Sequence, residues 1–140
     1  MSNLKSMLIC DNGGIPFYSR DFDNFVKIDD ALLSGLLSAI GTIGKSLFNQ
    51  DIATITFGEN MGIQTSKIVT ISKELFSLHK QIFFVFFIRG EVDLKQLRSL
   101  STRIFMEAKA SFRNVMPEQK LIAEKIDKII DLNYKGLKNL

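Results

Sequence analysis

Residues 39–46 are the part of the chain that comes nearest to a chemical motif. They read Ala-Ile-Gly-Thr-Ile-Gly-Lys-Ser, which approaches the phosphate-binding pattern of glycines followed by a lysine, with alanine in place of the first glycine. That chemistry requires a loop that joins a strand to the start of a helix. Here the segment lies inside a predicted amphipathic helix, where the backbone N–H groups already donate to carbonyls. We therefore keep nucleotide binding by residues 39–46 only as the weakest alternative.

The other reactive side chains do not form a catalytic set. His79 is the single histidine, so a site with several histidine ligands is excluded, and we expect it in a solvated turn. Cys10 is the single cysteine, which excludes an intrachain disulfide and favours a reducing compartment. We expect Cys10 in the core and Asp29 or Asp30 at a helix N-terminus. The sequence thus predicts a protein that is not an enzyme, with no metal and no cofactor.

The composition is typical of one globular domain spanning residues 1–140. Of the 140 residues, 46% are hydrophobic and 24% are charged, and the net charge is +3. Basic and acidic residues alternate in the C-terminal third, which favours solvated helix surfaces over nucleic-acid binding. We find no uninterrupted apolar stretch of about 20 residues, so we expect no direct transmembrane insertion. The predicted location is cytoplasmic, with membrane contact only through partners.

Residues 82–88 determine the predicted architecture. They read Ile-Phe-Phe-Val-Phe-Phe-Ile without a polar interruption. A strand with one solvated face would alternate apolar and polar residues, because successive side chains point to opposite faces. Both faces of this strand must therefore be covered. We expect it in the middle of a sheet with helices on each side.

The remaining elements follow from periodicity and turn residues. Asn12, Gly13 and Gly14 predict a hairpin turn with positive φ at Asn and Gly, and Pro16 places the second strand at a sheet edge. The predicted order is β-β-α-β-β-β-α-α, which gives a five-stranded antiparallel sheet with one helix on one face and two on the other, a three-layer α/β/α fold. The strands are predicted at residues 7–11, 15–20, 52–57, 67–72 and 82–88, with loops at 58–62 and 73–81 and helices at 29–49, 93–112 and 118–134.

The first helix is unusually apolar. On a helical projection, its large apolar side chains cover roughly 160°, more than a helix lying on a sheet requires. The opposite arc carries Ser34, Ser38, Thr42, Lys45 and Ser46, and residues 31–48 contain a single charge. Depletion of charge is typical of an interface core. Either the chain's own sheet and loops enclose this helix, or another chain covers its serine-bearing side; we favour the second, and expect Ser38→Arg to weaken association.

Residues 12–22 and 33–40, together with the order of elements, resemble the longin domain. They read Asn-Gly-Gly-Ile-Pro-Phe-Tyr-Ser-Arg-Asp-Phe and Leu-Ser-Gly-Leu-Leu-Ser-Ala-Ile. This family belongs to the SNARE-like superfamily and shares its three-layer core with the roadblock domain, which begins with a helix instead of a strand. The chain is similar to small archaeal longin-like proteins and, more distantly, to longin subunits of vesicle-tethering and GTPase-exchange complexes.

The resemblance implies a protein-interaction module that pairs, as a homodimer or heterodimer, through the first helix and the neighbouring edge strand. The paired surface would engage a small Ras-like GTPase, and the protein would act as its scaffold or regulator. The predicted partner contacts are Ser34, Leu37, Ser38, Gly41, Thr42, Lys45, Phe48, Thr54 and Thr56. The alternative is a sensor domain that holds a small ligand between sheet and helices. The phenylalanine-rich core argues against it, because no convergent polar groups are evident.

Overall fold

The predicted order of elements is confirmed. A computed structural model describes residues 3–22, 29–50, 53–58, 66–75, 80–112 and 119–133. His79, most of the predicted loop at 58–62, and the residues on either side of Pro117 lie outside these ranges. The elements are β1 (Leu4–Asp11), β2 (Pro16–Asp21), α1 (Asp30–Phe48), β3 (Thr54–Phe57), β4 (Ser66–Leu75), β5 (Lys80–Arg89), α2 (Leu94–Phe112) and α3 (Gln119–Leu132).

The sheet has five antiparallel strands in the order β2-β1-β5-β4-β3, with the phenylalanine-rich strand β5 in the centre. Phe84 and Phe86 lie in the larger core cluster, with α2 and α3. Phe83, Val85 and Phe87 lie in a smaller cluster, with α1. Both faces of the central strand are therefore covered, as its sequence predicts.

The predicted loop at residues 73–81 is wrong at both ends, because the strands on either side extend into it. Strand β4 continues to Leu75 and β5 begins at Lys80, and these two residues are partners in the antiparallel ladder. Leu75 is buried in the larger core cluster, which gives the strand a reason to extend this far. Leu94, the first residue of α2, is exposed, whereas Leu97 and Leu100 are buried.

The turn between β1 and β2 differs from the predicted one. Its positive φ of 83° lies at Gly14, and neither Asn12 nor Gly13 has a positive φ. Gly14 N–H donates to the Asp11 carbonyl, and the Asp11 carboxylate accepts at 2.9 Å from the N–H groups of Gly13 and Ile15. These bonds describe a type I turn followed by a left-handed glycine. The carboxylate of Asp11 therefore selects this turn over the Asn-Gly type.

Candidate interaction surface on helix α1

Helix α1 is positioned by caps at both ends. The Asp29 carboxylate accepts from Leu32 N–H at 3.0 Å, which confirms the predicted N-cap. At the other end Asn49 takes a left-handed conformation with φ of 53°. A Cβ added at Gly44 would lie 3.0 Å from the Gln50 carbonyl oxygen, so the tight C-terminal turn requires a glycine there. The 19-residue helix is thus set by local sequence.

Two serines attach α1 to the β1–β2 turn. Ser34 Oγ donates to the Gly14 carbonyl oxygen and Ser38 Oγ donates to the Asn12 carbonyl oxygen, each at 2.7 Å. The backbones approach closely here, since a Cβ added at Gly14 would lie 3.3 Å from Gly35 Cα. Short hydroxyl side chains fit such a contact and satisfy turn carbonyls that have no strand partner.

The predicted outward position is therefore wrong for two residues of α1. Ser34 is fully buried, and Leu37 is 4% exposed. Both were predicted partner contacts, and both lie between the helix and the sheet. Thr42 is exposed, but its hydroxyl donates back to the Ser38 carbonyl at 2.9 Å. The predicted polar side of α1 is therefore buried near the N-terminus of the helix and exposed near its C-terminus, at Thr42, Lys45 and Ser46.

The exposed side of α1 is apolar. Five large side chains on it are between 53% and 69% exposed, and we call this set the outer flank: Leu32, Leu36, Ile43, Leu47 and Phe48. No charged residue lies among positions 31–48 except Lys45. A contiguous apolar surface of this kind is typical of an interaction site, because monomeric proteins rarely leave one in water.

By length and composition alone, α1 could also cross a membrane, which corrects the prediction that no segment reaches that length. The hydrogen bonds of Ser34 and Ser38 to the β1–β2 turn hold it against the sheet in this fold. A helix with one face on a sheet does not offer the apolar surface all round that a spanning helix needs. The outer flank is therefore interpreted as a surface that is covered from one side.

Strand β3 supplies an open edge at the opposite end of the sheet from β2. Within the described sheet it is the last strand, and it pairs with β4 through Thr54, Ile55, Thr56 and Phe57. The side chains of Thr54, Thr56 and Phe57 are exposed, whereas Ile55 packs against the smaller core cluster under α1. An unpaired edge is a ready site for backbone hydrogen bonds with another chain.

A cleft of about 230 Å³ separates the C-terminal half of α1 from the sheet. Its polar lining contradicts the prediction that convergent polar groups are lacking. From α1 the cleft is lined by Ser46 and by five of the predicted partner contacts. These five residues are not part of the outer flank: Leu37, Ser38, Gly41, Thr42 and Lys45. The remaining lining residues are Asn12, Thr70, Gln81 and Phe83.

Reactive side chains are not brought together near α1. Residues 39–46 lie within the helix, so the geometry of a phosphate-binding loop is absent from them. Across the described ranges, no three His, Cys, Asp or Glu side chains could jointly hold a metal ion. Burial, with a smaller effect from the charge of Asp11, raises the pKa of the Cys10 thiol to about 12. A thiol with that pKa is protonated at neutral pH and is a poor nucleophile.

Comparisons with known proteins find matches among solved structures. No family model and no curated protein matches the chain. Among solved structures, it is similar to the gliding protein MglB from Thermus thermophilus, with 9% identity over 73% of each chain and a TM-score of 0.48. A Roadblock/LC7 domain from Streptomyces avermitilis shows 11% identity, covering 80% of this chain and 88% of that one, with a TM-score of 0.49. Myxococcus xanthus MglB shows 12% identity, covering 96% and 86%, with a TM-score of 0.41.

The chain has a longin/roadblock-type fold. The observed order of strands and helices, which starts with a strand and places one helix against two, is the arrangement that the resemblance predicts. The three similar structures have TM-scores below 0.5, so no argument about the fold or the function of this chain rests on them. They also do not test the similarity to small archaeal longin-like proteins.

Sequence reasoning placed Ser34 and Leu37 on the outer side of α1, whereas both are buried. The signal that could have corrected this was the apolar arc itself, because it is too wide to be buried on one sheet face. Leu33 and Leu37 fill the inner side, whereas Leu32, Leu36 and Ile43 lie on the outer flank. The serines of α1 and the glycine-rich hairpin together were the second signal, because the hydroxyls of Ser34 and Ser38 donate to backbone carbonyls of that hairpin.

Proposed function

We propose that this protein is a non-catalytic interaction module that pairs through the outer flank of α1 and the edge strand β3, with a second copy or with another longin/roadblock-type domain. The pair would act as a scaffold or regulator of a small Ras-like GTPase in membrane-trafficking-type machinery. The observation that carries the proposal is the outer flank, five large apolar side chains exposed along one helix.

The energetics of the outer flank favour pairing. Covering apolar surface contributes about 25 cal/mol per Å², so burying several such side chains at once stabilises a complex substantially. The flank carries no carboxylate or cation among its five residues, so its burial leaves no unpaired charge. Leu36 and Ile43 lie two turns apart along the helix, which is the spacing that an antiparallel partner helix would contact.

Strand β3 would add a second contact to the pair. Pairing of its exposed edge with a second chain would add main-chain hydrogen bonds to the apolar contact. Phe57 is exposed at its end and would gain a partner in the same event. Of the sequence-predicted contacts, Phe48, Thr54 and Thr56 therefore stay in the proposal, together with the exposed Thr42. Ser34 and Leu37 leave it because they are buried.

The GTPase step is supported by the fold and by the resemblance of residues 12–22 and 33–40 to longin domains. In that family the paired surface engages Ras-like GTPases, and the domains do not catalyse a reaction. The described side chains agree with a role in binding, because Cys10 is buried and the hydroxyls of Ser34 and Ser38 bind backbone carbonyls. The nucleotide in such a complex would belong to the partner.

Molecular mass in solution tests the pairing. We expect the wild-type protein to sediment as a dimer, and Leu36→Arg to sediment as a folded monomer, because the charge would be buried at the interface. Met106→Arg is the matched control, since Met106 is exposed on α2, on the other side of the sheet. A wild-type protein that stays monomeric at every concentration, and that binds no longin or roadblock partner, would contradict the proposal.

Binding to purified small GTPases tests the regulatory step. Each GTPase would be loaded with GDP or with a non-hydrolysable GTP analogue and passed over the immobilised protein. We expect a preference for one nucleotide state, retained by Met106→Arg and lost in Leu36→Arg. Retained dimerisation without any GTPase binding would reject the regulatory role and leave the pairing intact.

A further inference from the structure

We infer that the partner of the outer flank is a second copy of this chain, paired antiparallel about a twofold axis that passes between Ala39 and Ile40. This inference rests on the proposed pairing through α1, and it goes further by naming the partner and the register of the contact. The observation behind it is a symmetry in the spacing of the exposed apolar residues along the helix.

The large apolar side chains of the outer flank have the same spacing in both halves of α1. Leu36 and Ile43 lie at equal distances along the chain on either side of the axis position, and so do Leu32 and Leu47. All four are between 53% and 69% exposed, so each half of the helix presents its pair to solvent. The exposed leucines and isoleucine therefore follow the same order of spacings from either end of the helix.

These four residues lie on one narrow strip of the helix together with an exposed alanine. On a projection with 3.6 residues per turn the five fall within about 80°, and we call them the seam: Leu32, Leu36, Ala39, Ile43 and Leu47. Their spacings of three or four residues are those at which the side chains of two packed helices interdigitate. Ala39 is the small member and lies beside the axis, where the two helix backbones would come closest.

A twofold interface explains this symmetry. It brings the same surface of both copies together, so residue i contacts residue j of the partner while j contacts i. In the antiparallel register Leu36 would contact the partner's Ile43 and Leu32 would contact the partner's Leu47, and each contact would occur twice. An apolar side chain then meets another along the whole seam. A different protein as partner would not require equal spacing in the two halves of α1, so the symmetry favours a second copy.

The distribution of charge on α1 also agrees with self-pairing. A charge near a twofold axis would lie close to the same charge of the partner, and burying it there would be unfavourable. None of the five seam residues is charged. Lys45, the single charge among residues 31–48, lies about 160° from the centre of the seam on the helical projection and lines the cleft against the sheet. The seam of one copy can therefore meet the seam of another without like charges in contact.

An exchange of charges within one chain tests the register. Leu36→Glu and Ile43→Lys would each bury a charge against an apolar side chain of the partner, and we expect each to weaken dimerisation by about a hundredfold or more. In a chain that carries both substitutions, each introduced carboxylate would meet an introduced ammonium of the partner. We expect this double variant to dimerise at least about tenfold more tightly than either single variant. Sedimentation equilibrium over a range of protein concentrations measures the dissociation constants.

Mixing the two single variants provides a second measurement. In the mixed pair one contact would join the two introduced charges and the other would keep Leu36 against Ile43, so a heterodimer should form from two monomeric proteins. The control is Leu32→Glu combined with Leu36→Lys in one chain. It introduces the same charges in one half of the helix, where the antiparallel register does not join them, and it should stay monomeric. The amide spectrum of each variant would first show that it is folded.

Three results would overturn the inference, and they have different consequences for the proposed function. If the wild-type protein dimerises but the double variant and the mixed pair are as weak as the single variants, the two copies pair in another register. If the wild-type protein binds a longin or roadblock domain but never itself, the partner is not a second copy. Pairing through α1 remains in both cases. If the single variants dimerise as tightly as the wild type, the seam is not the interface and the proposed pairing fails as well.

Discussion

Ser34 Oγ donates a 2.7 Å hydrogen bond to the Gly14 carbonyl oxygen, and this bond joins α1 to the turn between β1 and β2. The same hydroxyl lies 3.2 Å from the Ala31 carbonyl oxygen one turn back in the helix. Ser34 therefore turns the inner side of α1 toward the hairpin. The outer flank faces solvent as a consequence, so a buried serine determines which side of α1 is exposed.

Replacing this serine tests its role. Ser34→Ala leaves the half-buried Gly14 carbonyl without this donor, and we expect the free energy of unfolding to fall by about 1 kcal/mol after the better helix propensity of alanine is included. Ser46→Ala, in the exposed last turn of α1, should change it by less than about 0.5 kcal/mol. Urea denaturation at one fixed protein concentration measures both, since pairing makes stability depend on concentration. Equal effects of the two changes would contradict the role of Ser34.

The architecture could be predicted because it depends on patterns that burial enforces. Residues 82–88 have no polar interruption, so only a strand covered on both faces is compatible with them. Pro16 lies in the edge strand β2 as predicted, since proline cannot donate to a ladder. The inward residues of α3, Ile122, Ile126, Ile129 and Ile130, are all buried at helical spacing.

The exposed side of α1 could not be predicted in the same way, because the polarity of a residue does not reveal where its hydrogen bond goes. Ser34 and Ser38 were predicted to contact a partner chain, yet their hydroxyls donate to the carbonyls of Gly14 and Asn12, which lie 20 and 26 residues earlier in the chain. Those carbonyls are accessible to α1 because of the turn selected by Asp11, which the Asn-Gly rule does not describe.

Alanine substitutions at two glycines of α1 would distinguish an open helix surface from a close contact with the backbone. A Cβ added at Gly35 would meet nothing within 4 Å, so Gly35→Ala should raise the free energy of unfolding by up to about 1 kcal/mol through helix propensity. Gly44→Ala should lower it, because its Cβ would lie 3.0 Å from the Gln50 carbonyl oxygen. Thermal denaturation of both variants provides the comparison. A destabilised Gly35→Ala would indicate that something already covers this position.

The burial of Cys10 predicts an inert thiol and a stability that falls at alkaline pH. Its pKa is raised from 9.0 to about 12, first by burial and then by the charge of Asp11. The folded state therefore holds the proton more tightly, so this stability is complete below pH 9 and is lost as the pH rises from 9 toward 12. We expect no reaction of the native protein with a thiol reagent at about pH 8 and full reaction in urea.

A variant separates this effect from other groups that titrate in alkali, such as Tyr18, whose pKa is also raised by burial and by Asp127. Cys10→Ala should be less stable at about pH 7, because it leaves a cavity, but its free energy of unfolding should fall less between about pH 9 and 10 than that of the wild type. Rapid modification of native Cys10 at neutral pH would show that β1 opens readily to solvent.

Lys80 should contribute more to stability than an ordinary surface lysine. Its Nζ donates at 2.9 Å to the carbonyl oxygen of Phe112, the last residue of α2, where a cation also compensates the helix dipole. The same ammonium lies 3.9 Å from Asp11 Oδ2 and 4.7 Å from the centroid of the Phe17 ring. One cation thus joins the C-terminus of α2 to the first hairpin.

Lys80→Met keeps the apolar stem and removes the ammonium, so the Phe112 carbonyl loses a donor and the buried Asp11 carboxylate loses its nearby cation. We expect the free energy of unfolding to fall by about 1–3 kcal/mol. Lys67→Met is the matched control, because Lys67 pairs at 3.4 Å with Glu91, which is largely exposed, and such pairs contribute about 0–1 kcal/mol. Urea denaturation of the two variants measures the difference. If both variants lower the denaturation midpoint equally, Lys80 does not stabilise the C-terminus of α2.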